Sequence, residues 1–355
     1  MTSEKSKRVT IYDIAASLGI SSSTVSRVLS KADYPVNSEL KDRIRQAAKE
    51  MNYYPNLSAR NLKKQNSCHV GIVVPSISNP FYPSILRGIE DVAYEHGYFL
   101  FVCSGDGDTD REQRYLNLLI ENDVCGLITL FFDPVVEGLS GYLQQGGIVA
   151  SVSSERSEYK NICSFYFDKQ LEGCVATQHL LELGHKHIAF LTAPLTNATR
   201  QGKVMGYLSA LQDAGIQDEK KYLTVAAGEM DMDSSDRVDD CQMGVELTRK
   251  LLMEHPEVTA ILCMNDLATL GCISELASRG LRVPEDYSVM GFDDSFFSNL
   301  VKPSITTMRS DKYKIGQFVM EKFIKIKEQA DPIRQYDMSS YSGLVVRDST
   351  GRPRG

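Results

Sequence analysis

Apolar residues recur every three or four positions near the start of this chain, and small polar residues fill the gaps. Ile11, Ile14, Ala15 and Leu18 share one helical face, Gly19 interrupts, and Val25, Val28 and Leu29 resume the spacing. Thr10 can cap the first helix, with Asp13 in its first turn, where negative charge suits the helix dipole. Ser21 can cap the second helix. With the valines buried, Ser22, Ser23, Ser26 and Arg27 fall on the other side. Short donors and one arginine on a second helix suit a DNA major groove, although a plain helical hairpin shares the bare pattern. Asn37 to Met51 predicts a third helix, with Leu40, Ile44, Ala47, Ala48 and Met51 along one face. After Pro55, Asn56 can cap about two further turns. There Ala59 and Leu62 make an apolar ridge flanked by Arg60, Lys63 and Lys64. Such a ridge suits insertion into a minor groove, and a plain linker is the bland alternative.

From His69 the period changes. Runs rich in β-branched residues (His69–Pro75, Tyr98–Cys103, Gly126–Leu130, Gly147–Val152) alternate with helical patterns over Phe81–His96 and Arg111–Asn122. The alternation begins again with helix Leu171–Leu183, strand His187–Leu191, helix Val204–Gly215 and strand Thr259–Cys263, then helix Ala268–Arg279 and strand Tyr287–Phe292. Buried strands joined by helices predict a doubly wound parallel sheet. A body this long fits two α/β lobes better than one core, with ligand in the cleft beyond the strands' carboxyl ends.

Charge separates the two parts. Residues 1–64 hold twelve Lys and Arg against six Asp and Glu, a formal +6. The whole chain has 39 basic and 46 acidic residues, which leaves 27 against 40, or −13, for the remainder. A basic head gains affinity for DNA by releasing counterions, whereas an acidic body is not drawn to phosphate.

The head, TIYDIAASLGISSSTVSRVLS followed by NYYPNLSARNLKK, resembles the lactose-repressor/galactose-repressor family of bacterial transcription regulators. Body segments VGIVVPSISNPFYPSILRGIED, HLLELGHKHIAFL, TAILCMNDLATLG, YSVMGFDDS, KPSITTMRS and SGLVVRDST match as well, so the resemblance runs from Val9 to about Thr350. It implies a small all-α helix-turn-helix head on a periplasmic-binding-protein-like α/β body whose chain crosses between lobes three times. The expected division is a headpiece over 1–52, a hinge helix and linker over 53–67, and an effector-binding and dimerisation domain over 68–355. Within that domain the first lobe is expected at about 68–166 and 296–329, the second at about 167–295 and 330–355.

The resemblance also assigns residues. Ser22, Ser23 and Arg27 fall where the family contacts bases, and Thr10, Tyr12, Ser21, Thr24 and Ser26 where it contacts phosphates. Ser30 stands where many members have asparagine. Leu62 matches the residue wedged between central base steps, with Ala59 and Lys63 beside it. Phe81, Tyr82, Arg200, Asn265 and Asp293 fall at effector-contacting positions. Asp266 stands open between ligand contact and loop capping, and Asp293 also has a turn-forming reading. Two departures bear on the effector. Ser153-Ser154-Glu155-Arg156 replaces the aspartate of an Ile-Asp-Arg phrase, and Met230 stands where an aromatic ring is usual. The acidic stretch through Asp231, Asp233, Asp236, Asp239 and Asp240 reads as a solvated loop.

Other chemistry fails on inspection. Asp106, Asp108 and Asp110 alternate like a calcium loop, but Arg111 holds the glycine position and Asn117 the glutamate position. His185 and His187 alternate into a strand and so point apart, against a metal site with His179. Gly105-Asp106-Gly107 lacks the continuation of a phosphate loop, and no nucleophile-base pair can be argued. The chain is therefore expected to be no enzyme and to need no cofactor or metal. Eight cysteines without a CxxC fit a reducing cytoplasm. Met1 to Arg8 reads as no signal peptide, and no apolar run reaches membrane-span length. The segment after Val345 carries no leucine heptads, so a homodimer is expected on a nearly palindromic operator, not a coiled-coil tetramer. The expected effector is a small molecule, a sugar or sugar derivative by the family's habit; its identity, and induction against corepression, stay open. The rival classes are an exported or cytoplasmic ligand-binding module without a DNA role and an enzyme on a doubly wound sheet.

Overall fold

The computed structural model describes residues 9–30, 35–54, 69–106, 108–131, 136–154, 159, 161–216, 222–225 and 240–354. The chain divides into two compact units, 1–67 and 68–355. In the first, α1 (Ile11–Leu18), α2 (Ser22–Ser30) and α3 (Ser38–Glu50) enclose Ile14, Val25 and Ile44, all fully buried. Thr10 and Asp13 form a reciprocal cap: Asp13 N–H donates to Thr10 Oγ1 at 3.4 Å, and Thr10 N–H donates to Asp13 Oδ2 at 2.8 Å. Gly19 ends α1 at φ +65°, a left-handed conformation that favours glycine. Ser21 Oγ accepts from Thr24 N–H at 3.1 Å and so opens α2.

The second unit contains two six-stranded sheets. The first lobe is built from β1 (His69–Val74), α4 (Phe81–Glu95), β2 (Phe99–Ser104), α5 (Thr109–Glu121), β3 (Gly126–Leu130), α6 (Val136–Gln144), β4 (Val149–Ser153) and β5 (Cys163–Tyr166). The second holds α7 (Lys169–Glu182), β6 (Ile188–Thr192), α8 (Ala198–Asp213), β7 (Leu223–Val225) and α9 (Asp240–Glu254). It continues with β8 (Ala260–Cys263), α10 (Asp266–Ser278), β9 (Ser288–Asp293) and β10 (Thr306–Ser310). The chain then returns to the first lobe for α11 (Lys312–Lys327) and β11 (Gln335–Asp337), and ends in the second with β12 (Ser342–Val345). The sheet orders are β11-β5-β4-β3-β1-β2 and β12-β10-β9-β8-β6-β7. All neighbours are parallel except β10 and β12. Apolar residues cover both faces of the first sheet: Ile72 and Val74 meet α4 and α11, and Val73 meets Leu116 and Leu119 of α5. This is the doubly wound pair of lobes that the alternating pattern predicts, and the chain crosses between them three times.

Four expectations need correction. Residues 296–310 were expected in the first lobe, yet β10 pairs with β9 (Thr306 opposite Met290) and Ile305 and Met308 join the second core. Conversely, β11 pairs with β5 (Gln335 opposite Ser164), which places the start of 330–355 in the first lobe. The crossing between Ser310 and Lys312 is too short to leave a compositional mark. The helix expected from Val204 begins at Ala198, because Asn197 Oδ1 accepts from Arg200 N–H at 3.0 Å and adds a polar first turn. Asp240, expected in a solvated loop, is the first residue of α9, a helix that the apolar spacing did not announce.

Candidate functional site

In the head, Val25 and Val28 are buried while Ser21, Ser23 and Arg27 are exposed; Ser22, Thr24 and Ser26 are half-buried. Tyr12 is 69 % exposed on α1. Ser21 Oγ lies 2.9 Å from Ser23 Oγ and 2.8 Å from Thr24 Oγ1, and Thr10 Oγ1 donates to Asp13 Oδ2 at 2.7 Å. Hydroxyls and an arginine thus line the N-terminal part and outer side of α2, where groove contacts are made in helix-turn-helix proteins. Ala59, Leu62 and Lys63 lie outside the described residues.

In the body, the cleft between the lobes is bordered by carboxyl ends of strands and N-termini of helices. The first lobe contributes an aromatic wall. Phe81 packs edge-on against Tyr82 (centroids 5.3 Å apart) and Phe131 (5.4 Å), and Phe131 meets Phe167 at 5.7 Å. Burial pushes the Tyr82 hydroxyl above its usual range, and the charges of Asp293, Asp240 and Glu112 push it further, against the pull of Arg200. Residues from both lobes therefore surround this phenol.

The second lobe contributes most of the charge. Asp293 ends β9 at φ +114°, followed by Asp294 at +50°, two non-glycine residues in the left-handed half of backbone space. Lys312 Nζ donates to both of their carbonyls, which holds that turn from the first residue of α11. Burial raises the Asp293 carboxyl to about 7, helped by Asp266 and opposed by Lys203, Lys312 and Lys169. Among the described residues its carboxylate makes no hydrogen bond. Burial also pushes Asp294 upward, but hydrogen bonds from Arg347 and Arg309 hold it below its usual value.

Arg200 donates to the Pro194 carbonyl and to Thr196 Oγ1 at 3.2 Å. Asn265 caps α10, its Oδ1 accepting from Ala268 N–H at 2.9 Å, and its Nδ2 donates to Asp240 Oδ2 at 2.7 Å. The structure thus brings Phe81, Tyr82, Arg200, Asn265 and Asp293 to one cleft. Asp266 proves structural: fully buried, it accepts from Ser295 N–H (2.7 Å), Ser298 Oγ (2.6 Å) and Thr307 Oγ1 (2.7 Å).

Sequence reasoning missed three buried lysines. Lys169 Nζ bonds both Glu172 oxygens at 2.8 and 2.9 Å and lies 5.0 Å from the Phe167 ring centre. Lys203 Nζ donates to the Met264 carbonyl at 2.9 Å and sits 4.3 Å from the Phe292 ring centre. Lys312 lies 5.6 Å from that of Phe81. The i,i+3 spacing of Lys169 and Glu172 was the visible signal for one of them. Ser154, in the segment that replaces the family's aspartate, hydrogen-bonds Thr199 across the cleft.

The rejected sites have other duties. Asp106 accepts from Ser104 Oγ and Arg111, each at 2.7 Å, and Asp108 caps α5. His185 bridges Thr259 (2.9 Å), Ser288 (3.0 Å) and the Gly351 carbonyl (2.9 Å). No helix among the described residues is long and apolar enough to cross a membrane.

Comparison with known proteins agrees with this geometry. Residues 67–339 match the family of periplasmic binding proteins and the sugar-binding domain of the LacI family, and residues 10–56 match bacterial regulatory proteins of the lacI family. The HTH-type transcriptional repressor PurR of Aliivibrio salmonicida is 31% identical over 342 residues, 96% of this chain and 98% of its own. The ribose operon repressor of Halalkalibacterium halodurans is 31% identical over 342 residues, covering 96% and 97%. The Lac repressor dimer, solved bound to operator and the anti-inducer ONPF, superposes with a TM-score of 0.79 at 25% identity, covering 97% of this chain and 100% of that one. The regulator CelR in complex with cellobiose gives 0.67 at 25% identity, covering 96% and 100%. The chain belongs to the lacI family of bacterial regulatory proteins, DNA-binding transcriptional repressors with a periplasmic-binding-like effector domain.

Proposed function

We infer that this repressor acts in the cytoplasm as a homodimer on a pseudo-palindromic operator, under control of a small polar effector in the interlobe cleft. The observation that carries the DNA half is α2, which buries Val25 and Val28 and leaves Ser23 and Arg27 exposed. Arg27 reads a base edge in the major groove, assisted by Ser22 and Ser23, while Thr10, Tyr12, Ser21, Thr24 and Ser26 hold phosphates. The paired Leu62 side chains, flanked by Ala59 and Lys63, wedge into the minor groove at the operator centre.

The effector is a sugar or sugar derivative. An unpartnered carboxylate (Asp293), a phenol (Tyr82), a guanidinium (Arg200) and an amide (Asn265) offer acceptors and donors, and Phe81 adds an aromatic wall; together they suit a hydroxyl-bearing ring. The cellobiose complex of CelR is consistent with that class. Effector binding changes how the lobes sit and so the hinge spacing, by no more than its differential affinity for the two states. Selection of bound sequences from a random duplex pool, by the protein and by Leu62→Ala, tests the reading. A palindromic consensus, bound more weakly by the variant, is expected; enrichment of single half-sites, equally strong in both proteins, overturns it.

A further inference from the structure

One carboxylate in the cleft is shared by both lobes. Asn79, in the loop after β1 of the first lobe, donates from Nδ2 to Asp240 Oδ2 at 3.3 Å. Asn265, at the start of α10 in the second lobe, donates to the same oxygen at 2.7 Å. Neither amide can turn around. Asn79 Oδ1 accepts from Phe81 N–H and Asn265 Oδ1 from Ala268 N–H, each at 2.9 Å. With both oxygen ends committed to helix starts, both NH2 ends face Asp240.

Three helix starts meet around this side chain. Asp240 opens its own helix, α9, and its two partners sit at the starts of α4 and α10. Three helix N-termini, one from the first lobe and two from the second, thus place their positive ends toward one anion. Arg200 adds a fourth positive group: burial weakens its hold on the proton, and Asp240 is the first group to oppose that loss. The two bonds are unequal. The 2.7 Å bond lies within the second lobe, and the 3.3 Å bond spans the cleft. Opening therefore breaks the weaker bond first and leaves Asp240 held on its own lobe.

We propose that Asn79, Asp240 and Asn265 form a clasp that closes the two lobes on each other before any effector enters. Asp240 is a positioning residue. It fixes the Asn265 amide, faces Arg200 and Tyr82, and joins the effector site to the first lobe through Asn79. An effector that fits beneath the made clasp stabilises the closed state. One that must displace Asn79 favours the open state. Together with the Ser154–Thr199 bond across the same cleft, the clasp contributes to the closed-to-open ratio on which any effector acts.

Hydrogen–deuterium exchange on the full chain without effector tests this, because the decisive signal lies in the lobe that was not altered. Asn79→Ala is expected to raise exchange over residues 240–250 and 264–272 of the second lobe, and Asp240→Ala over residues 80–88 of the first. The size expected is about tenfold or more, as for loss of a charge-assisted bond. Asp240→Asn keeps the shape and one acceptor oxygen, and should restore part of the protection. Changes confined to the altered lobe in both alanine variants overturn the proposal. If Asp240→Ala also deprotects the central strands, it has lost its fold. Asn79→Ala and Asp240→Asn then decide the question by the same cross-lobe criterion.

Discussion

Glu112 shows how one residue records the conflict between fold and site. It is 5 % exposed near the start of α5, and among the described residues it has no hydrogen-bond or ion-pair partner. Burial, with Asp108 nearby, raises its carboxyl to about 7. Between the usual carboxylate range and pH 7 the folded protein holds a proton that the unfolded chain has released. Its contribution therefore lowers stability as pH rises through that window, and the full cost stands above pH 7. Glu112→Gln removes the cost. The variant should exceed the parent by about 2 kcal/mol at pH 8 and match it at pH 4, as read by urea unfolding. Equal stability at pH 8 would mean that Glu112 keeps its charge solvated. The same scale shows the reach of sequence. Tyr82, Arg200, Asn265 and Asp293 lie next to motifs, so their place at the cleft was legible. Lys169, Lys203 and Lys312 were not, because lysine in a sequence reads as surface unless its partners are known. Their partners lie up to 61 residues away: Met264 for Lys203 and the Asp293 carbonyl for Lys312.

Helix pairs carry the next level of organisation. In three places two helices cross with a glycine from each at the contact. A Cβ on Gly88 of α4 would stand 2.1 Å from the Tyr313 carbonyl oxygen, and one on Gly316 of α11 would stand 2.1 Å from that of Ile85. Gly173 and Gly206 meet Lys203 and Gln170 across α7 and α8 in the same way, at 2.1 and 2.0 Å. Gly244 and Gly271 do so across α9 and α10, at 2.1 and 1.9 Å. At the same α7–α8 crossing a Cβ on Gly202 would stand 3.0 Å from Lys169 Cβ. Backbone cannot yield as a side-chain tip can, so Gly88→Ala is expected to cost at least about 3 kcal/mol. Gly141→Ala in α6, where a Cβ meets nothing within 4 Å, should be neutral or stabilising by up to about 1 kcal/mol. Thermal melts of both variants would separate close approach from helix propensity. Most helices and strands here were legible from their apolar period, and the glycines were visible, but their crossings were not. A glycine declares space without naming what fills it. The start of α8 and the whole of α9 stayed hidden for a related reason. Their first turns serve the cleft, so polar residues occupy positions that period analysis expects to be apolar.

At the scale of the molecule, the outer edge of the first sheet bears on assembly. Strand β2 pairs with β1 on one side and ends the sheet on the other. Edges of this kind are usually short, charged or covered. This one is six residues long and apolar, with Phe99 65 %, Phe101 43 % and Val102 44 % exposed. His69 stacks on Phe101 at 4.9 Å and extends the patch onto β1. A monomer that left such a strip in water would invite uncontrolled association, whereas a second copy applied to it would bury the strip in a closed, two-fold contact. If the proposed dimer forms here, Phe99→Glu combined with Phe101→Glu should sediment as a monomer at concentrations where the parent pairs. Each head would then bind its half-site alone, and operator affinity should fall by about 100-fold or more through loss of bivalency. Binding of the proposed small effector should change little, since the residues proposed for it all belong to one chain. If the double variant remains a dimer with full operator affinity, the pairing surface lies elsewhere and the exposed strip needs another partner.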